Sequence, residues 1–423
     1  MQVNAHGSGS YGPVQADFRC RAADYLRALA ASCAACHGFG GATAAKYVRL
    51  LSGHSLDVVL VEPEPAFVSC PVSNLVVGGL RQLADITTPY ESLRSRHGVT
   101  LVRDRAAQID TQRKTVQLAQ GPQIRYDKLV LAPGVDLMFD EVQGLAGAHA
   151  TGRILHAWKA GPETVGLFRQ IEAMRNGGVF AITVPEQPYR CPPGPYERAS
   201  LVAAYLQKHK PRSKVLILDA NPDVTSKAAL FKRAWAELYP GLVEYRSQHK
   251  AVAVDAAGLT VRFDLHEDVR ADVLNVLPPM RAGSLALLAG LANANGRWCQ
   301  VDFLSFESTS AKDIHIVGDA IQNAALMPKS GHMANGHAKL AAAAIVAQLA
   351  GQPPDPHPML SNTCYSQVSA TEAIHVASVH AYSADEKTFK PVPGSGGLSS
   401  ARSALEATYA AAWASNIWAD TLG

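Results

Sequence analysis

A glycine-rich loop followed by a helix, a strand and an acidic residue is the feature that most limits how this chain can fold. Gly38 and Gly41 precede a helical pattern that runs to Leu51, and an apolar strand pattern then ends at Glu62. In a dinucleotide-binding unit the glycines let the backbone approach a pyrophosphate at the helix N-terminus, and the acid bonds a ribose hydroxyl. Gly38, Gly41 and Glu62 fit these roles and predict a dinucleotide site.

The segment before this loop departs from the usual unit. Cys36 occupies the first glycine position, and Tyr25–Ala31 has the Ala/Leu composition of a helix where the central strand of the sheet is expected. We therefore predict a helix at Tyr25–Ala31 and a sheet without its usual first strand. Two ways of completing the domain stay open: Leu26–Ala31 is recruited as a substitute strand, or the remaining strands hold the domain together.

The same segment contains a haem-attachment pattern. Cys33, Cys36 and His37 form a CxxCH sequence, in which two thioethers fix a porphyrin and the histidine is an axial ligand. Too few residues precede Gly38 to enclose a haem, so we expect no haem on this chain. A fusion or deletion junction with a cytochrome-like head is the simpler hypothesis.

Two further strands support an α/β plan. The apolar stretches that end at Gly134 and at Asp319 each read as a short buried strand followed by a glycine turn. Gly318 allows the turn, and Asp319 is placed to bond a polyol chain. A long helical pattern follows from about Met333, and its N-terminus can face an electron-rich ring.

The middle of the chain contains a second βαβ pattern with a different loop. A strand at Gly178–Val184 and a strand ending at Asp219 flank a helix around Ala199–Lys208. The loop between strand and helix is rich in proline, which offers no N–H and prevents the close backbone approach that glycine allows. We infer that this unit does not bind NAD(P)H.

Composition excludes several classes of function. Lys and Arg total 39 against 36 Asp and Glu, a net charge of +3 without a dense basic block, which argues against a nucleic-acid surface. No apolar run approaches the roughly 18 residues of a membrane span. The start, Met1–Ala16, lacks the pattern of a secretory signal peptide. The seven cysteines form no paired zinc knuckles, so we predict no metal site.

Three cysteines are candidates for chemistry. Cys191 precedes a predicted helix beside Arg190, surroundings that can lower a thiol pKa, although a packed and inert cysteine fits the sequence equally well. Cys364 is ambiguous by itself. Cys70 follows the strand that ends in the acid and could approach a flavin, or it is an ordinary loop cysteine.

Taken together in their order, these stretches resemble the flavoprotein subunit of flavocytochrome c sulfide dehydrogenase from about Gly38 to Gly423. The segments that carry the resemblance are Gly40–Tyr47, Cys70 with Ser73, Asn74, Gly78 and Gly79, the loop Tyr189–Arg198, Pro211–Lys214 with Asp219, Leu277–Gly283, Val317–Asp319, Met327–Gly331 and Asn362–Ser366.

The resemblance implies an α/β fold of the glutathione-reductase type, with two dinucleotide-binding domains and a small C-terminal flavin-binding domain. The expected divisions are an atypical N-terminal segment at 1–37, an FAD-binding domain at 38–160 and 286–351, a second dinucleotide-type domain at 161–285, and a C-terminal flavin-binding and interface domain at 352–423.

The resemblance also implies the chemistry. FAD would be tethered covalently through Cys70, and Cys191 and Cys364 would form a redox-active disulfide that sulfide attacks. Electrons would pass through the flavin to haem c on a cytochrome c subunit, which places the protein in the periplasm. Lys329 would stabilise negative charge on the reduced ring; a solvated loop lysine is the alternative.

Other functions stay open at this point. A relative that reduces quinone would want an amphipathic C-terminal membrane patch, and Leu398–Gly423 has a modest one around Trp413 and Trp418. A haem electron carrier that uses the CxxCH segment and a damaged, non-catalytic homologue are the remaining alternatives.

Overall fold

The computed structural model describes residues 28–32 and 38–423, so the CxxCH segment lies outside the described residues. Before residue 161, the described residues form short strands and four α-helices. In chain order these elements are β1 Ala28–Ser32, α1 Phe39–Leu51, β2 Asp57–Val61, β3 Ala66–Val68, α2 Ser73–Val77, β4 Thr87–Pro89, α3 Glu91–His97, β5 Thr100–Val102, β6 Ala106–Asp110, β7 Thr115–Leu118, β8 Gln123–Arg125, β9 Leu129–Leu131, β10 Val135–Leu137 and α4 Leu145–Ala150.

The middle part alternates helices and strands. Its elements are α5 Pro162–Ala173, β11 Val179–Val184, α6 Gly194–His209, β12 Lys214–Asp219, α7 Ala228–Leu238, β13 Val243–Arg246, β14 Ala251–Asp255, β15 Thr260–Phe263, β16 Val269–Arg270 and β17 Val273–Val276.

The last part returns to the first sheet and then forms an antiparallel one. Its elements are β18 Met280–Ala282, α8 Ser284–Leu288, β19 Val301–Asp302, β20 Glu307–Ser308, β21 Ile314–Ile316, α9 Gly331–Leu349, β22 Met359–Gln367, β23 Ala373–Ser383, β24 Thr388–Pro391, β25 Gly397–Leu398 and α10 Ala404–Leu422.

The largest sheet has the order β19-β20-β21-β9-β1-β2-β5 and is parallel from β21 to β5. All three residues of β9 and of β21 are buried, as expected of strands covered on both faces. The sheet is built from residues at both ends of the sequence, and the carboxyl ends of its parallel strands meet at one edge. That edge is where ligands bind in open α/β sheets.

The prediction of a helix at Tyr25–Ala31 is wrong for the part that the structure describes, because Ala28–Ser32 forms the central strand β1. Ala30 is paired in register with Val59 on one side and with Leu129 on the other. Alanine has a low strand propensity, but the parallel strands β2 and β9 supply backbone hydrogen-bond partners on both sides of β1. Such tertiary context overrides the propensity of the segment. The recruited-strand alternative is therefore the one that the structure adopts.

A second parallel sheet, β13-β12-β11-β17, forms the middle of the chain. β11 pairs in register with β12, and α6 connects them, which makes the predicted βαβ unit. The interiors of both strands are buried, so their apolar runs are explained by a sheet covered on both sides.

The C-terminal helix α10 is fixed against the first domain by polar contacts at its end. Lys46 donates to the carbonyls of Ala419 and Asp420 at 3.1 and 2.9 Å, and the Asp420 carboxylate accepts from Tyr47 at 2.6 Å. Asn335 of α9 donates to the same carboxylate at 2.8 Å. These contacts satisfy carbonyls at the helix terminus and bring α1, α9 and α10 together around one cavity.

Among the described residues, no helix is long and apolar enough to cross a membrane.

Candidate functional site

A large cavity lies where α1, α2, α6, α9, α10 and β22 meet. Its volume is about 1510 Å³ with the open mouth included. Six of the nine residues that the sequence predicts for the site line this cavity: Gly38, Cys70, Cys191, Gly318, Asp319 and Cys364. The other three, Gly41, Glu62 and Lys329, are buried outside its lining.

The N-terminus of α1 borders the cavity as a dinucleotide loop requires. Gly38 precedes the helix in an extended conformation, and no side chain caps the first turn, so its backbone N–H groups are left for a ligand. Gly40 lies against the sheet, where a Cβ atom would come within 3.0 Å of Val317 and 3.2 Å of Ala132. Glycine is therefore needed there for helix–strand packing.

Gly318 and Asp319 form the turn after β21 on the same side of the cavity. Gly318 has a positive φ of 79°, a left-handed conformation that favours glycine. Asp319 is partly exposed, but its Oδ1 atom is buried, and burial raises the pKa of its carboxyl group. Its Oδ1 atom has no hydrogen-bond partner among the described residues. A buried acceptor without a partner is costly, so its place in the lining fits a bound polyol hydroxyl.

Glu62 ends β2, and its carboxylate receives the backbone N–H of Glu64 at 3.0 Å. Burial is the main reason that the pKa of Glu62 is raised to about 7. A carboxyl group with this pKa is available as donor or acceptor for a ribose hydroxyl near neutral pH. Its position at the strand end is the one that the sequence predicts.

Cys191 is held at the start of α6 by its own backbone. Its φ of 59° is left-handed, its N–H donates to the carbonyl of Lys329 at 2.8 Å, and its carbonyl accepts from Gly194 at 2.9 Å. A Cβ atom on Gly194 would come within 2.9 Å of the Cys191 sulfur and 2.7 Å of the Trp158 ring. The strained backbone and the required glycine together fix the thiol against Trp158.

Cys364 of β22 lines the same cavity, and its sulfur contacts the side-chain amide of Asn362 at 3.5–3.6 Å. The fold thus brings Cys191 of the loop before α6 and Cys364 of β22 to the lining of one cavity. Both are free thiols in the structure, as is Cys70. Cys70 lines the cavity from the turn before α2. Its carbonyl accepts from the Ser73 N–H at 3.1 Å and from the Ser73 hydroxyl at 2.6 Å.

Of the two alternatives that the sequence left open for Cys191, a thiol pKa lowered by Arg190 is not what the structure shows. Burial raises the pKa of the Cys191 thiol, and the nearby Cys364 thiolate raises it further, while Arg190 opposes both without reversing the direction. Adjacency in sequence suggested the guanidinium as the dominant influence. In three dimensions, loss of water around the sulfur outweighs one neighbouring charge.

Lys329 is buried, so it is not the solvated loop lysine that the sequence left as the alternative. Its ammonium donates to the carbonyls of Asp319 and Ile321 at 2.9 and 2.6 Å, and it lies 3.8 Å from the centre of the Trp298 ring. Burial lowers the Lys329 pKa to about 7. The side chain therefore stabilises the loop that carries Asp319, and the backbone carbonyl of Lys329 accepts from the Cys191 N–H. The effect of Lys329 on a reduced flavin ring stays a prediction.

Sequence reasoning missed a set of buried charges behind the two thiols. Glu197 lines the cavity and accepts from Asn74 at 2.8 Å and from the Gln367 N–H at 2.9 Å. Arg198 donates to the carbonyls of His156 and Ala157 at 2.8 and 2.6 Å. Two adjacent charged residues on an otherwise apolar helix were the available signal.

Arg198 organises the wall that holds Trp158. Its guanidinium lies 4.9 Å from the centre of the Trp158 ring, and burial lowers its pKa to about 10. The Trp158 Nε1 atom is buried and has no hydrogen-bond partner among the described residues. The cavity therefore offers a second unpaired polar atom, here a donor.

Comparison with known proteins places most of the chain. The family model described as "Sulfide dehydrogenase (flavocytochrome c) flavoprotein chain, central" matches residues 164–278. A second family model, "Flavocytochrome c sulphide dehydrogenase, flavin-binding", matches residues 356–422. A sulfide dehydrogenase (flavocytochrome c) flavoprotein chain of Chlorobaculum thiosulfatiphilum is 62% identical over 39 residues, which cover 9% of this chain and 79% of the relative. The chain belongs to this flavoprotein family.

Further matches cover the first part of the chain and extend to related enzymes. The family model described as "Pyridine nucleotide-disulphide oxidoreductase" matches residues 37–161. A mitochondrial sulfide:quinone oxidoreductase of Dictyostelium discoideum is 25% identical over 293 residues, 67% of this chain and 63% of the relative. The chain thus spans less than two thirds of that relative's length.

A solved structure has a similar fold. The sulfide:quinone oxidoreductase from the hyperthermophilic bacterium Aquifex aeolicus has a TM-score of 0.77 at 19% identity, with 93% of this chain and 91% of that chain covered. At this identity the likeness concerns the fold alone. It confirms the predicted α/β architecture with two dinucleotide-type domains.

Proposed function

We propose that this protein oxidises sulfide with FAD and passes the electrons to a cytochrome c subunit. The observation that carries the proposal is the cavity whose lining contains both Cys191 and Cys364, together with the dinucleotide loop at Gly38 and with Asp319, whose Oδ1 atom is unpaired. Family membership supports both the flavin and the sulfide.

The residues present fit FAD. The N-terminus of α1 offers backbone donors to a pyrophosphate, Glu62 lies at the strand end used for a ribose, and Asp319 presents a buried acceptor to a polyol. FAD bound in this cavity would accept an electron pair and release it one electron at a time.

The two cysteines supply the reaction with sulfide. As a disulfide they would be opened by sulfide, which forms a persulfide on one sulfur and releases the other as a thiolate. Trp158, Gly194 and Asn362 hold the two sulfurs in place and exclude water from one side of them. Loss of that water strengthens every charge interaction at the sulfurs.

Cys70 is the proposed attachment point for the flavin. It lies in the cavity lining, and the turn that follows it is fixed by the Ser73 hydroxyl bonded to the Cys70 carbonyl at 2.6 Å. A thioether there would prevent loss of the cofactor. Haem c would be on the partner cytochrome subunit, and the family resemblance favours a periplasmic location.

Sulfide:quinone oxidation is the second candidate, because relatives with that name match two thirds of the chain. Trp413 lines the cavity and Trp418 packs against the core, but Leu405 and Tyr409 of α10 are exposed. These two side chains offer an apolar surface beside the cavity. Quinone-dependent activity that exceeds cytochrome c reduction would favour this candidate.

The deciding experiment is an absorbance spectrum of the purified protein, repeated on the acid-denatured pellet, followed by sulfide-dependent reduction of cytochrome c. We expect a flavin band that stays with the pellet and reduction that requires sulfide. A spectrum without flavin would contradict the proposed function. Flavin that is released by acid would contradict the tether at Cys70 alone, and Cys70→Ala should give dissociable flavin.

A further inference from the structure

A buried lysine lies directly behind Cys364. Lys227 is 5% exposed, and its ammonium donates to the Cys364 carbonyl at 2.9 Å and to the Ser366 hydroxyl at 2.8 Å. It precedes α7, whereas Cys364 and Ser366 belong to β22. The contact therefore joins the second dinucleotide-type unit to the C-terminal sheet at the position of the thiol.

The position is locally unfavourable for lysine in three ways. Lys227 has a left-handed φ of 57°, which is uncommon outside glycine and asparagine. It lies at the N-terminus of α7, where the helix dipole disfavours a positive charge. It is also buried, and burial lowers its pKa to about 8. Local costs that coincide at one residue are typical of a functional position.

The charges around Lys227 explain what stabilises it. Cys364, Glu197 and Cys191 each favour its charged form, with Cys364 the strongest of them, and Glu406 of α10 adds a smaller contribution. Seen from Cys364, burial raises the thiol pKa and Lys227 is the strongest influence that lowers it. For Cys191 the strongest such influence is Arg190, with Lys227 second.

We propose that Lys227 is a positioning residue that stabilises Cys364 as a thiolate and thereby directs sulfide to Cys191. The proposal rests on the proposed function for its second half. The first half, a lysine that favours the Cys364 thiolate, concerns the thiols of the chain itself and needs neither sulfide nor flavin.

The step balances as follows. Hydrosulfide attacks the sulfur of Cys191, and a new S–S bond forms between them while the Cys191–Cys364 bond breaks. The bonding electron pair leaves with Cys364, which becomes a thiolate beside the Lys227 ammonium. The proton of hydrosulfide stays on the Cys191 persulfide or passes to water. The better leaving group is the thiol with the more stable thiolate, so the lysine determines the direction.

The first test measures the alkylation rate of Cys364 by iodoacetamide against pH in the reduced holoprotein, with peptide mapping to assign the site. Lys227→Met should slow alkylation at pH 8 by about tenfold or more, because removal of a nearby positive charge reduces the thiolate fraction. Lys227→Arg should restore most of the rate. Superimposable rate profiles of the wild type and Lys227→Met would overturn the proposal.

Lys232→Met is the matched control. Lys232 lies on the same helix, is half exposed and forms an ion pair with Asp223 at 2.6 Å. Its removal changes the charge of the protein equally but should leave the Cys364 profile unchanged. An equal effect of both variants would also overturn the proposal, since the effect would then be one of net charge.

The second test needs no variant and therefore stands even if Lys227→Met fails to fold. The oxidised wild-type protein is treated with one equivalent of sulfide, blocked with iodoacetamide and mapped for the cysteine that carries an additional sulfur. We expect it on Cys191, and its presence on Cys364 would overturn the direction of attack. A persulfide on neither cysteine would contradict the proposed function, and the alkylation profiles would still decide the role of Lys227.

Discussion

The two βαβ units of this protein have the same order of elements, but the loop before the helix is rich in glycine in the first and rich in proline in the second. In the first, a glycine loop leads into α1, whose N-terminal backbone groups are left for a ligand. In the second, a loop rich in proline leads into α6 and holds Cys191 against Trp158. The difference teaches that one scaffold binds a nucleotide where backbone can approach closely and positions a thiol where backbone is rigid.

The acids at the two strand ends differ in the same way. Glu62 after β2 receives one backbone N–H from its own loop. Asp219 at the end of β12 accepts from the hydroxyls of Tyr196 and Tyr245 at 2.6 and 3.0 Å and from the Asn221 N–H at 2.9 Å. Its hydrogen-bonding capacity is used within the protein, which agrees with the inference that the second unit does not bind NAD(P)H.

The largest expected effect is the loss of either of the two cavity thiols. Cys191→Ser or Cys364→Ser should lower sulfide-dependent cytochrome c reduction by about a thousandfold or more, because the two sulfurs act as one unit. Flavin content should stay unchanged. Cys299→Ala is the control, since Cys299 is buried away from the cavity lining. Full activity in either serine variant would contradict the disulfide.

Gly194→Ala tests the rigidity of the second loop. The added Cβ would meet Trp158 at 2.7 Å and the Cys191 sulfur at 2.9 Å, so we expect a loss of about 1–3 kcal/mol in the free energy of unfolding together with reduced activity. Gly147→Ala, whose Cβ would meet nothing within 4 Å, should gain about 0.5–1 kcal/mol. Urea unfolding compares them, and equal stabilities would refute the packing argument.

The pH dependence of stability tests the acid of the first unit. The ordinary pKa of Glu62 is 4.5, and burial raises it to about 7. Between these values the folded chain keeps a proton that the unfolded chain has released, so stability should fall as pH rises through this window, by up to roughly 3 kcal/mol. Glu62→Gln should lack this fall. Parallel stability curves for both proteins in the flavin-free form would contradict it.

Flavin retention distinguishes the role of Glu62 from that of Asp219. Glu62→Gln should weaken flavin retention after Cys70→Ala has removed the proposed tether. Asp219→Asn in the same background should leave retention unchanged and lower stability by about 1–3 kcal/mol through its lost hydroxyl bonds. Loss of flavin from the Asp219→Asn variant alone would reverse the assignment of the nucleotide site.

The smallest expected effect concerns Cys36, the departure from glycine in the first loop. Cys36→Gly would restore the first glycine of the motif, and we expect flavin retention to rise by a few-fold at most. The reason is that glycine allows the tight turn and the close approach to a pyrophosphate. Retention that falls in this variant would show that the cysteine itself is required.

Local patterns were sufficient for much of the fold and part of the site. The apolar runs before Glu62, Asp319 and Asp219 predicted strands that the structure contains. The composition of Tyr25–Ala31 predicted a helix, and residues 28–32 form a strand, because pairing with two neighbours is not encoded in the segment itself.

The charges of the site were the least predictable part. Arg190 beside Cys191 suggested a lowered thiol pKa as one of two alternatives, but burial raises the pKa. A solvated loop lysine was the alternative for Lys329, but Lys329 is buried and three loop acceptors bind its ammonium. Both outcomes depend on how far water is excluded and on which carbonyls lie within reach, and sequence adjacency reports neither.

The sequence by itself determined which residue types stand at the ends of strands: glycines, acids and cysteines at turns where a parallel sheet exposes its carboxyl edge. Only the tertiary structure decided which of them meet. Cys191 and Cys364 are 173 positions apart in the numbering, and Lys227 reaches Cys364 from a third element. Such contacts follow from the packing of whole domains, because burial and distance arise only when the chain has folded.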